Sequence, residues 1–309
     1  MSKTLNRRKF FRDTAFSAAG IMLGSKLYGS ESGGSGSSSS FDIMKETMKY
    51  RKINAHEHVL GGTLESQLDL ADRLGIEKLE ISRPISAGGK SLATPEEFRA
   101  ANDVVLQAMK KYPDRYLGSF FINPLFGKES LEEINRCVEE GMIGLKVYNQ
   151  VKIHDPLFYP VIEKMIDLKM SILMHAHCGI GVGGKKTKYG NSQPNASVPE
   201  DFVEAAKRYP EAIFQYAHTG GGGDWEYACK MFRDYPNIYA DTSGSNNEGN
   251  MIDFALKYLG ENRLFYGSDG SFYQSIGTVL SAKLTETQRK KIFFENYNNI
   301  LRKIGRNVN

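Results

Sequence analysis

The sequence predicts an α/β fold, a (β/α)8 TIM barrel, on three observations. Strand-like and helix-like stretches alternate eight times between Phe41 and Asn309, the pattern of a parallel sheet wrapped by helices. Those 269 residues are close to the ~250 typical of such a barrel. Polar residues stand at the C-terminal ends of the first, fifth, sixth and eighth strands. In an open sheet they would spread along a wide front, whereas in a barrel they ring one mouth, where active sites lie.

Taken in order, Ile53–Val59 reads as the first strand, followed by helical spacing of Leu64, Leu68, Leu70, Ala71 and Leu74. Lys78–Ser82 is the second strand, and Pro95, suited to a first helical turn, opens a helix to Met109. Tyr116–Ile122 is the third strand, and the helix Leu131–Val138 closes at Gly141, a C-terminal cap. Ile143–Tyr148, Ser171–His177, Ala212–His218, Ile238–Asp241 and Leu264–Gly267 are the remaining strands. The helices between them are Pro156–Leu168, Pro199–Arg208, Asp224–Phe232 and Met251–Leu259. After the last strand the chain is helical, with Thr285 capping Gln288–Phe294 and Asn296–Ile304 closing the domain. The loop from Gly179 to Pro199 is long and rich in Gly and Lys, and loops of that length inside a compact domain usually serve function.

Residues 1–29 stand apart. Asn6-Arg7-Arg8-Lys9-Phe10-Phe11-Arg12 is a twin-arginine pattern, followed by the mildly apolar run Ala15–Gly24. That run is shorter than the roughly 20 residues a spanning helix needs. The expectation is a twin-arginine-type export signal read by the twin-arginine machinery, a periplasmic or otherwise extracytoplasmic destination, and no membrane anchor. Residues 30–40 form a Ser/Gly-rich linker, and 41–309 are the barrel domain. The formal charge of +4 is small and its basic residues are scattered, so nothing points to nucleic acid. Cys137, Cys178 and Cys229 lack the spacing of a disulfide framework or a cysteine zinc site.

The chemistry centres on His56-Glu57-His58. Side chains two apart on a strand share a face, so the two imidazoles aim together while Glu57 turns the other way. Five of the six histidines (His56, His58, His175, His177, His218) end apolar strand-like runs, and Asp269 ends another. Imidazoles and carboxylates make N/O sites for Zn²⁺, and also for Mn²⁺ or Fe²⁺.

His56-x-His58, His175, His218-x-Gly220-Gly221 and Gly267-Ser268-Asp269, in that order, resemble the amidohydrolase superfamily. The likeness is closest to its amidohydrolase-related branch of metal-dependent hydrolases and aromatic-acid decarboxylases. The closing Glu295-Asn296-Tyr297-Asn298-Asn299-Ile300-Leu301 is similar to that branch as well. The resemblance implies one divalent metal, Zn first, held by His56, His58, His175 and Asp269. Asp269 would act as general base and His218 would orient water or stabilise an oxyanion. His177 lies one step further out, as a substrate contact or as the ligand in place of His175. Lys146 matches a strand position where some superfamily members carry a carboxylated lysine bridging two metals; an ion pair near the mouth is the alternative. Arg83, at the end of the second strand, is placed to meet an acidic substrate group, with a surface salt bridge as the competing reading. Asp241 either holds loop amides or touches substrate.

The expected function is hydrolysis of a small-molecule amide, lactone or ester by a metal-activated water. The alternatives are non-oxidative decarboxylation of a small carboxylic acid with Arg83 on the carboxylate, and a non-catalytic binding protein on the same barrel. A homodimer is among the assemblies such barrels form.

Overall fold

A computed structural model describes residues 42–59, 63–86, 92–176, 195–219, 225–244 and 250–309. The twin-arginine stretch, the linker, His177, most of the Gly179–Pro199 loop and the glycines 220–223 lie outside the described residues. Asp42–Asn309 is one compact unit.

Eight parallel strands follow one another around the sheet in chain order: β1 Lys52–His58, β2 Ile76–Ser82, β3 Tyr116–Phe120, β4 Gly144–Val147, β5 Ser171–Met174, β6 Ile213–Tyr216, β7 Ile238–Asp241 and β8 Leu264–Phe265. Backbone bonds from Ala55 N to Tyr266 O (2.9 Å) and from Asp269 N to His56 O (2.9 Å) join the last strand to the first. The result is the (β/α)8 barrel.

The helices are α1 Ile43–Thr47, α2 Leu64–Arg73, α3 Pro95–Lys111, α4 Gly127–Glu139, α5 Tyr159–Leu168, α6 Pro199–Arg208, α7 Trp225–Met231, α8 Asn250–Leu259, α9 Phe272–Ser281, α10 Glu286–Lys290 and α11 Asn296–Lys303. Their starts follow local chemistry. The Thr94 hydroxyl accepts from Glu97 N while Glu97 Oε2 accepts from Thr94 N, a reciprocal cap. Thr285 and Gln288 repeat that device at α10. Helix α4 begins four residues before the expected Leu131, because its polar first turn Gly127-Lys128-Glu129-Ser130 carries no apolar spacing to announce it. Five residues after α10, Lys291–Glu295, form a π-helical turn whose Ile292 carbonyl accepts from Tyr266 N at 2.9 Å.

Two cores result. The larger lies between sheet and helices, and the smaller fills the N-terminal end of the barrel with Ile53, Ala55, Ile143, Ile213 and Phe265 under Tyr297, Ile300 and Leu301 of α11. The Tyr297 hydroxyl reaches into the barrel and donates to Glu80, which also accepts from Ser119. A buried carboxylate is tolerated when its lone pairs are met in this way. No helix among the described residues is long and apolar enough to cross a membrane.

The opposite, C-terminal end is polar. The register of β1 against β2 slips between Asn54 and Glu57, an irregularity of the kind that re-aims side chains beside active sites. Ala55 belongs to the apolar plug, and its neighbour His56 nonetheless reaches Lys146 and Asp241 across the barrel. Strict alternation would have put Ala55 and His56 on opposite faces.

Candidate metal centre

His56 Nε2, His58 Nε2 and a carboxylate oxygen of Asp269 form a group whose ligand atoms all lie within 4.8 Å of one another. His58 Nε2 is 3.0 Å and His56 Nε2 3.7 Å from Asp269 Oδ1. Each ring is held by its other nitrogen. His56 Nδ1 donates to Asp241 Oδ2 at 2.9 Å, and His58 Nδ1 stands 2.9 Å from Ser82 Oγ. Metal-ligating histidines are held in this manner, because the outer hydrogen bond fixes the tautomer and frees the inner lone pair.

The donor set fits a divalent ion in charge as well as in shape. Burial pushes His58 down to about 4, against the pull of Asp269. Burial, then the His56 charge, push His218 down to about 3. Both rings are therefore neutral near neutral pH, the form that binds metal. Burial raises the Asp269 carboxyl, but the His58 hydrogen bond and the neighbouring His56 and His218 outweigh it and hold Asp269 well below the usual carboxylate range. Two imidazole nitrogens and one anionic oxygen suit Zn²⁺, Mn²⁺ or Fe²⁺.

Backbone conformation at the mouth is unusual. His218 and Asp269 adopt φ of +67° and +46°, a left-handed region that non-glycine residues seldom enter. Such conformations cost on the order of 1 kcal/mol or more and persist where the surroundings dictate them. Gly267 is dictated by crowding: a Cβ there would sit 2.9 Å from His56 Cβ and 3.1 Å from Asp241 Cβ.

The structure brings His218 and His175 beside this group and leaves them outside the three-atom cluster. His218 Nδ1 is 3.5 Å from Asp269 Oδ2 and 3.1 Å from Ser243 Oγ, and its Nε2 is 3.0 Å from His175 Nδ1. The His175 ring stacks on Tyr148 with centroids 3.9 Å apart. Arg83 and Tyr148 face His58, His175 and Asp269 across a cavity of about 190 Å³ that Pro84 and Ser86 complete. Among the described residues Arg83 has no hydrogen-bond or ion-pair partner. Lys146 is fully buried, and its amine lies 2.8 Å from His56 Nε2. Burial pushes it down to about 8 against the pull of Asp269, Asp241 and Glu80. It contends for the lone pair that an ion would use.

Asp241 has more to do than hold loop amides. It is fully buried and accepts from His56 Nδ1, Gln215 Nε2 (3.1 Å), His218 N (3.2 Å), Ser243 N (3.1 Å) and the Ser243 hydroxyl (2.5 Å). One carboxylate thus ties two of the site's histidines together. Sequence reasoning left open what Asp241 touches and missed Ser82, Ser243 and Gln215. Their shared signal is polarity at strand ends level with the histidines.

A family model described as Amidohydrolase matches residues 75–296. The matched segment holds His175, His218 and Asp269 and begins after His56 and His58. No curated protein sequence matches the chain. Among solved structures it is similar to 5-carboxyvanillate decarboxylase from Sphingomonas paucimobilis, with a TM-score of 0.65 and 16% identity over 82% of this chain and 99% of that one. Dihydroxybenzoic acid decarboxylase from Polaromonas sp. JS666, with bound manganese and the inhibitor 2-nitroresorcinol, gives 0.63 and 18% over 82% and 97%. 4-Oxalomesaconate hydratase from Rhodopseudomonas palustris gives 0.63 and 17% over 82% and 96%. At these identities the likeness shows a common fold.

Proposed function

This chain belongs to the amidohydrolase family, a family of metal-dependent enzymes, and from that premise we propose that it decarboxylates a small carboxylic acid without an oxidant. The observation that carries this reading is Arg83, a guanidinium with no partner among the described residues, facing Asp269 and His58 across a cavity of about 190 Å³. That volume is below the roughly 300–1,000 Å³ of drug-sized pockets, so the substrate is small. Tyr148 and Pro84 give the cavity apolar lining beside its charged groups, which suits a small acid with an apolar body.

His56, His58 and Asp269 would hold the divalent ion, with His175 as the additional ligand assigned from its sequence position. When bound, the ion supplies a Lewis acid toward a substrate oxygen. The side chains do the rest. Arg83 fixes the carboxylate through its planar fork. When the bond to carbon dioxide breaks, its electron pair stays on the substrate carbon, and that carbon takes a proton. That proton comes from solvent water, and Asp269 and His218, whose Nδ1 lies 3.5 Å away, line its path. Two of the similar solved structures are decarboxylases, which supports the choice. The same Asp269–His218 pair would serve as the base for a water attacking an ester, lactone or amide, and this keeps hydrolysis as the second reading. Export by the twin-arginine pattern at Arg7-Arg8 belongs to this proposal too, and places the reaction outside the cytoplasm.

The test is carbon dioxide release from a panel of small aromatic and unsaturated acids, with Arg83→Met alongside the parent protein. Losing charge-assisted hydrogen bonds worth about 1.5–3 kcal/mol should raise KM about 10- to 100-fold. Arg83→Lys should restore only part, since an ammonium lacks the fork. Turnover of esters or lactones with no carbon dioxide from any acid would replace decarboxylation by hydrolysis.

A further inference from the structure

Glu57, the residue between the two histidines, has no part in the chemistry above, yet the residue is only 2% exposed. Everything it bonds is a donor. Its Oε1 accepts from His58 N at 2.9 Å. Its Oε2 accepts from Gly270 N at 3.2 Å, from Asn54 Nδ2 at 3.3 Å and from the Ser268 hydroxyl. Asn54 reinforces the same turn, donating to Ser268 Oγ at 2.6 Å and accepting from Ser268 N at 3.0 Å.

Two of those donors, Ser268 and Gly270, flank Asp269 on either side. Asp269 itself is in the left-handed region, a conformation that lasts only where its surroundings over-determine it. The bonds from Ser268 N and Asp269 N to His56 O hold one edge of the turn, and the Glu57 carboxylate holds the other. A strand residue pointing away from the two imidazoles is thereby wired to the third ligand.

We infer that Glu57 is a positioning residue: it clamps the Ser268–Gly270 turn onto β1 and so fixes the Asp269 carboxylate toward His58 and His56. The inference rests on the reading of Asp269 as part of the metal centre. A carboxylate suits the task because it offers acceptors alone. In Glu57→Gln the amide nitrogen would present hydrogens to at least one group that is itself a donor.

The experiment pairs hydrogen exchange with Mn²⁺ titration on the full-length protein. In metal-free Glu57→Gln, exchange of the amides in 264–272 should rise several-fold while helices α3 and α5 stay protected. Mn²⁺ affinity, read from the paramagnetic resonance of free Mn²⁺, should fall roughly 10- to 100-fold, the usual loss when an outer partner of a metal site is removed. In an Asp269→Asn background the same change should cost almost nothing further, because a residue acting through Asp269 has nothing left to position. Unchanged exchange in 264–272, or an equal loss of Mn²⁺ affinity in both backgrounds, would overturn the inference. If Glu57→Gln does not fold, Ser268→Ala, which deletes one donor, runs the same cycle with the same outcomes deciding. If the parent protein binds no Mn²⁺, increased exchange still supports the clamp and only the metal reading falls; unchanged exchange sinks the clamp.

Discussion

Asp269→Asn is expected to slow turnover roughly 10²- to 10⁴-fold, the range for losing a positioned acid–base group. Asparagine is a near-isostere that tolerates the left-handed backbone Asp269 adopts. Its side chain is 30% exposed, so the amide does not leave a sealed charge behind. What disappears is the anion between His58 and His218 and its capacity to carry a proton. Steady-state kinetics on metal-reconstituted protein decide the matter. A variant that keeps more than about a tenth of parental kcat would fall outside that range and remove Asp269 from proton transfer.

The second large effect is at Asp241. Replacement by Asn turns one acceptor into a donor among five bonded donors. His56 can then no longer be relied on to keep its proton on Nδ1 and its lone pair on Nε2. Metal affinity should fall roughly 10- to 100-fold, and stability by about 1–3 kcal/mol, the usual cost of leaving a buried polar group without its partner. The pH dependence gives an independent check. Burial raises the Asp241 carboxyl, but the charges of His56 and His218 and the hydrogen bonds from His56 and Ser243 hold it well below the ordinary value. A carboxyl depressed on folding contributes stability fully above its unfolded value of about 3.9 and loses it as pH falls through the folded value. The stability gap between parent and variant, from denaturant titrations, should therefore be constant from neutrality to about pH 5 and shrink below about pH 4. A gap that persists into acid would show that the Asp241 charge is not what stabilises the mouth.

The order of the barrel was legible because burial writes itself into spacing. Apolar runs of four or five residues alternate with helical periods, and Pro95 and Pro199 mark helix starts that the structure keeps, while Pro156 opens a 3-10 turn just ahead of α5. The His56, His58 and Asp269 group was legible because all three end such runs. Strand ends were harder. β5 stops at Met174 and β6 at Tyr216, short of the expected His177 and His218, because at the mouth the backbone leaves the ladder to aim side chains inward, as the left-handed φ of His218 records. Least legible were contacts between distant positions. His56 and Asp241 are 185 residues apart, and no local pattern announces that one orients the other. The slip in β1 is equally silent, since nothing in Asn54-Ala55-His56-Glu57 marks a break in the strand. The Glu57 clamp depends on both that slip and the turn after β8.

The central claim is that His56, His58 and Asp269 hold a divalent ion. Elemental mass spectrometry on protein purified without added metal, beside the His56→Ala/His58→Ala variant, tests it most directly. About one equivalent of a divalent transition metal is expected in the parent, as for a mononuclear catalytic site, and none in the variant. Equal metal in both proteins, or none in the parent even after incubation with Zn²⁺ and Mn²⁺, would contradict it.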